Sequence, residues 1–192
     1  MSLKVAVLGS TRGTSMQGML DAIRAGSLDV EVVIVIADRP TASILDRARQ
    51  HHIPALALSP RGLSRPEFDA QVSAALEHAG AELVLMVGYM RIVSASFVEH
   101  WRGRLLNVHP SLLPAFAGGM NLNVHEAVLA SGVKETGCTI HQVTEEVDAG
   151  PIVLQKRCPV LPGDTAETLK DRVQALESEA FVEVLRDWKT RS

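Results

Sequence analysis

The chain has 192 residues, 46% hydrophobic and 21% charged, with a formal net charge of -3. That length carries one domain with a full core, and the acidic balance supplies no basic field for holding nucleic acid. No apolar run approaches the roughly 20 residues that span a bilayer.

The amino terminus enters a strand at once, without the basic, apolar and cleavage-site succession of a leader. With only two cysteines, this predicts a cytoplasmic protein without a disulfide framework. Cys138 and Cys158 flank Asp148 symmetrically, so a hairpin turning there would make them cross-strand neighbours. Packing as reduced thiols is the reading preferred for them.

Leu3 to Leu8 is a short apolar run ending at Gly9, and Met16, Met19, Leu20 and Ile23 follow at helical spacing. Val30 to Ala37 is rich in β-branched residues and ends on the turn signal Asp38-Arg-Pro40. Ile44, Leu45 and Ala48 predict a second helix, and Ala55 to Leu58 a third strand. Ser64-Arg-Pro-Glu67 has the form of a capping box, with Phe68, Val72 and Leu76 as the buried stripe behind it. Leu83 to Val87 predicts a strand buried on both faces and broken at Gly88. Ser94 caps a short helix to His100, and Leu105 to His109 is the next strand.

The second half changes character. Thr136 to Val143 and Ile152 to Val160 are strand-like runs joined by an acidic, glycine-bearing loop. Asp164-Thr-Ala-Glu167 starts a long helix whose buried face carries Leu169, Val173, Leu176, Ala180, Val184 and Trp188. Repeated β-α-β units with continuous apolar strands predict an α/β fold. Its sheet is mostly parallel and Rossmann-like with helices on both faces, followed by a hairpin-like extension and the long terminal helix.

Three places carry chemistry. The first is Asn107-Val-His109. Alternate side chains of a strand share a face, so Asn107 and His109 point one way while Leu106 and Val108 face packing. Pro110 ends the strand, which puts the pair at the edge where open α/β sheets bind ligands. An amide, an imidazole and the carboxylate of Asp148 are the parts that polarise a carbonyl and manage a proton. A zinc site built from His109, His125, His141 and Asp148 lacks the usual ligand spacing. Ser111 lacks the surroundings of a nucleophile.

The second place is Gly9-Ser-Thr-Arg-Gly-Thr-Ser15, a glycine-bearing turn into a helix. Its backbone N–H groups, the hydroxyls of Ser10, Thr14 and Ser15, and Arg12 suit an anion. The segment has neither the full dinucleotide glycine pattern nor a P-loop lysine. The third is Gly88-Tyr-Met-Arg-Ile-Val93, an apolar segment whose single Arg suits a flat, hydrogen-bonding ring with an acidic tail.

Asn107-Val-His-Pro-Ser-Leu-Leu-Pro114, Asp148-Ala-Gly-Pro151, Gly88-Tyr-Met-Arg-Ile-Val93 and Arg172-Val-Gln-Ala-Leu-Glu177 together resemble the glycinamide ribonucleotide formyltransferases, folate-dependent enzymes of purine synthesis. The resemblance runs nearly end to end and implies one formyltransferase domain over residues 1–192. It implies 10-formyltetrahydrofolate as co-substrate, glycinamide ribonucleotide as acceptor, no metal, no nucleic acid or membrane partner, and a monomer or homodimer. By position it implies that Asn107 and His109 flank the formyl group and that Asp148 supports His109. The folate site falls on Arg65, on Met90, Arg91, Ile92 and Val93, on Asn107, and on Thr144, Glu145, Glu146, Val147 and Asp148. The nucleotide phosphate falls on Gly13, Thr14 and Ser15, and the ribose on Glu177.

Two departures stand out: Ser15 replaces the family's usual Asn, and the segment 115–124 is longer than the common form. The rival readings are another formyl-folate enzyme (an amino-sugar or aminoacyl-tRNA formyltransferase, or a formyl-folate hydrolase) and a non-catalytic folate or phosphate binder.

Overall fold

In the computed structural model, which describes residues 1–119 and 122–188, seven strands form one sheet in the order β3-β2-β1-β4-β5-β6-β7. The strands are β1 (Leu3–Leu8), β2 (Val30–Ala37), β3 (Ala55–Ala57), β4 (Leu83–Met86), β5 (Leu105–His109), β6 (Glu135–Gln142) and β7 (Ile152–Pro159). The first five run parallel, and β6 and β7 turn antiparallel onto the β5 edge. The predicted sheet, its hairpin extension and the adjacency of β4 to β5 all hold.

The helices are α1 (Thr14–Arg24), α2 (Ile44–Gln50), α3 (Arg65–His78), α4 (Ala95–His100), α5 (Leu122–Ser131) and α6 (Ala166–Asp187). Strand alternation sorts them into two layers. Val5, Val7, Leu83, Leu85, Leu106 and Val108 pack with residues of α1, α2, α5 and α6. Ala6, Leu8, Val84, Met86 and Leu105 pack with Phe68 and Val72 of α3 and Phe97 of α4. Because both faces are covered, β4 is apolar at every position and β1 and β5 along most of their length, rather than at every second position.

The capping box at Ser64 forms as expected, with Ser64 accepting from the Glu67 N–H and Glu67 accepting from the Ser64 N–H. At α6 the box lies one residue later than predicted, on Thr165 and Thr168. Asp164 is drawn instead to Arg172 by paired 2.7 and 2.9 Å bonds, which hold its carboxyl well below the usual range. Arg172, part of the motif that carries the resemblance, therefore fastens the start of α6.

Cys138 lies opposite Lys156 and Cys158 opposite Thr136, so the two free, buried thiols are diagonal neighbours rather than a direct pair. Burial pushes the Cys138 thiol up to about 12, which suits a packing role. Part of the long segment 115–124 lies outside the described residues. Among those described, no helix is long and apolar enough to cross a membrane.

Candidate functional site

The strand order reverses at β1, with β2 on one side of it and β4 on the other. The carboxyl ends of β1, β4 and β5 meet at this reversal, the usual ligand crevice of a doubly wound sheet. They border one cleft of about 810 Å³.

Asn107 and His109 reach the cleft from the end of β5. Their orientation comes from partners the strand pattern does not show. Asn107 lies opposite His141 in the antiparallel β5–β6 register, with its Nδ2 3.1 Å from His141 Nε2. His141 Nδ1 is 3.0 Å from the Gln142 carbonyl, so that nitrogen donates and Nε2 is left to accept from the Asn107 amide. Burial lowers the pKa of His141, which keeps this tautomer neutral. One Asn107 N–H is thereby anchored and the other is free for the cleft. The sequence marks His141 only as one of the residues of a metal site; its part here is to aim Asn107.

His109 is 3% exposed. Its Nδ1 is 3.3 Å from Asp148 Oδ2, and its Nε2 is 2.9 Å from the Phe116 carbonyl. Both ring nitrogens thus face acceptors, and only the imidazolium form donates from both. Asp148 also accepts from the Gly118 N–H at 2.8 Å. It sits in the left-handed region at φ 55, as residues with short polar side chains can. Two residues on, a Cβ at Gly150 would stand 1.8 Å from the Gln142 carbonyl oxygen. Only glycine lets the loop turn tightly enough against β6 to bring Asp148 to His109.

Gly13, Thr14 and Ser15 line the same cleft at the start of α1. Gly13 is the N-cap at φ 63, no side chain caps the helix, and no acid lies in its first turn. Met16 N–H bonds the Gly13 carbonyl at 3.0 Å, which leaves the N–H groups of Thr14 and Ser15, both residues of the cleft lining, without a helix carbonyl to bond. The hydroxyls expected to help an anion are used otherwise. Ser10 Oγ accepts from the Met90 N–H at 3.0 Å, joining the ends of β1 and β4. The buried Ser15 hydroxyl donates to Glu177.

Glu177 is buried, and its pKa is pushed up to about 7, chiefly by loss of water and partly offset by the Ser15 hydrogen bond and by Lys170. The folded carboxyl therefore binds a proton more tightly than the unfolded one, whose ordinary value is 4.5. Stability from this group is complete below about 4.5 and is lost as pH rises to about 7. Glu177→Gln should raise the melting temperature above pH 7 by on the order of 5–10 °C, following about 3 kcal/mol of relief. The gain should vanish near pH 4.5. Thermal melts of both proteins across this range check it; an equal difference at every pH would show that Glu177 ionises without hindrance.

Of the proposed folate residues, Met90, Arg91, Ile92 and Val93 and the loop Thr144 to Asp148 all line the cleft. Arg91 lies 4.7 Å over the Phe68 ring, and its Nε is buried without a partner. Ile92 and Val147 are exposed apolar side chains on the cleft wall. Arg65 is exposed in the first turn of α3 and is not among the residues lining the cleft. His125 and Lys170 do line it, and nothing in the local sequence pattern had pointed to Lys170. Among the described residues, no three His, Cys, Asp or Glu side chains are grouped so as to hold a metal ion.

A doubly wound sheet whose switch-point cleft gathers an amide, an imidazole and a carboxylate beside an uncapped helix start defines an α/β protein that takes a small ligand there. The chain belongs to the formyl transferase family, whose model matches residues 3–185. It is 42% identical over 185 residues to the trifunctional purine biosynthetic protein adenosine-3 of Gallus gallus; the match covers 96% of this chain but 18% of that protein. It is 36% identical over 188 residues to the phosphoribosylglycinamide formyltransferase of Haemophilus influenzae, covering 97% of this chain and 87% of that one. Its fold matches the crystal structure of glycinamide ribonucleotide transformylase 1 from Symbiobacterium toebii with a TM-score of 0.92 and 42% identity, over 97% of this chain and 87% of that one.

Proposed function

We propose that this chain moves the formyl group of 10-formyltetrahydrofolate to the primary amine of glycinamide ribonucleotide in purine synthesis. One observation carries the reading. Asn107, His109 and Asp148 converge on the same cleft that Gly13 to Ser15 and Glu177 line. A small phosphorylated amine lying along this cleft would present its amine to the reacting carbon while its phosphate meets α1.

The folate occupies the wall formed by Met90 to Val93 and the loop Thr144 to Asp148. The unpartnered Arg91 Nε fits an acidic tail, and the exposed Ile92 and Val147 fit a flat ring. The amine attacks the formyl carbon directly, so no protein nucleophile is needed. As the new C–N bond forms, the formyl oxygen becomes negative; the free Asn107 N–H donates to it, and protonated His109 does so from Nε2 once the substrate displaces the Phe116 carbonyl. Asp148 stabilises the imidazolium and holds its ring in place. The bond to the folate nitrogen then breaks, and the amine's proton passes to that nitrogen by way of His109. Glu177 receives the ribose hydroxyls. The two buried reduced cysteines accord with a cytoplasmic setting.

Incubation with 10-formyltetrahydrofolate, with and without glycinamide ribonucleotide, tests the reading. Release of tetrahydrofolate is expected only when the amine is present. Release in its absence would make the protein a formyl-folate hydrolase. No release in either case would leave a binding module.

A further inference from the structure

Lys170 belongs to no motif that carries the resemblance, yet it lines the cleft. It lies on α6 with Gln174 and Glu177 at i, i+4 and i+7, one face of a helix, and all three side chains border the cleft. Seven residues of helix place Lys170 about 10 Å along the axis from Glu177. Glu177 meets α1 through Ser15, and Ser178 Oγ donates to the Ser15 carbonyl at 3.1 Å. The α6 stripe therefore runs outward from the uncapped start of α1.

Among the described residues Lys170, half-buried, makes no hydrogen bond or ion pair. Its charge is nonetheless felt by two buried groups of the same cleft. It offsets part of the burial penalty on Glu177 and helps push His125 down to about 4, after burial itself. His125 is 2% exposed, and its Nδ1 is buried with no partner. A free ammonium, an unpartnered imidazole nitrogen and the first N–H groups of α1 thus belong to residues that border the same cleft. The ammonium and the N–H groups of Thr14 and Ser15 lack an acceptor, and both would gain one from the same anion; the neutral His125 would join them through whichever ring nitrogen carries its hydrogen.

We propose that Lys170 pairs with the phosphate of the amine substrate, supplying the fixed positive charge that the start of α1 lacks. The proposal rests on the phosphate end assigned above and adds a specificity-determining residue to it. The other cations of the cleft are placed differently. Arg91 stacks on Phe68 at the folate wall, and Arg12 is an exposed residue of the loop before α1. Lys170 lines the same cleft from α6 and acts on Glu177, the partner of Ser15, so a phosphate at the helix start would also meet the ammonium. A charge that touches only the unreacting phosphate strengthens ground state and transition state alike, and it acts through KM.

The test compares kcat/KM for glycinamide ribonucleotide with that for its dephosphorylated riboside. In the unaltered enzyme the phosphorylated substrate should be preferred. Lys170→Ala should reduce that preference about tenfold or more, through KM, with a weaker dependence on salt. Lys170→Arg should retain most of it, and Arg12→Ala should reduce it by less than Lys170→Ala. Lys170→Gln, which keeps length and helix propensity, should behave as Lys170→Ala and guards against a folding defect. An undiminished preference in both neutral variants would overturn the role of Lys170 while leaving the phosphate end intact. An unaltered enzyme that treats both substrates alike would overturn the phosphate end itself, and Lys170 with it.

Discussion

Asn107→Ala should lower kcat by on the order of 100- to 1,000-fold while changing KM for either substrate much less. The amide is tied to His141 through one hydrogen, and in the proposed reaction the second meets the formyl oxygen as it becomes negative. A donor fixed before the reaction helps most when charge develops, which is why the loss belongs in kcat. The truncation has a structural consequence as well. His141 is 3% exposed, and its Nε2 would lose its donor, an unsatisfied buried group that costs about 1–3 kcal/mol. A lower melting temperature is therefore expected beside the kinetic loss, and rates must be read where the variant is folded. Steady-state kinetics with both substrates varied make the comparison. A KM that rises as far as kcat falls would place Asn107 among binding residues only.

Most of the fold was legible because a parallel sheet covered on both faces leaves a strong trace. Runs such as Leu83 to Val87 have no polar position, and the helices between them show 3.6-residue spacing. The alternation that puts Asn107 and His109 on one face and Leu106 and Val108 on the other holds because Leu106 and Val108 pack into the layer containing α5 and α6. The helix start at Gly13 was legible from its glycine and hydroxyl residues.

What could not be read was pairing over long separations. A period of two gives the faces of β5 and β6 but not their register, and register alone sets His141 opposite Asn107. The Ser15 hydroxyl was expected to serve an anion because its partner Glu177 is 162 residues away. Lys170 was unremarkable as one charged residue on a long helix. It becomes a cleft residue only because α6 packs along α1. Each of these depends on tertiary placement, which propensity and period do not encode.

The same limit applied to Asp148, whose separation from His109 is closed by the glycine turn at Gly150, and this gives the second large expected effect. Asp148→Asn should lower kcat by on the order of 100-fold or more, with little change in melting temperature. The substitution is a close one in every respect except charge. Asn tolerates the left-handed backbone at this position, and its amide oxygen can still accept the 2.8 Å bond from the Gly118 N–H. What disappears is the anion 3.3 Å from His109 Nδ1, and with it the support for an imidazolium that must donate to the forming oxyanion. Asp148→Ala should be worse on both counts, losing the Gly118 bond and straining a non-glycine residue at φ 55. Turnover and melting temperature measured on the pair separate charge from architecture. Normal turnover in the Asn variant would make Asp148 a turn residue alone, and a raised KM for the folate with kcat preserved would make it a binding residue rather than the support of His109.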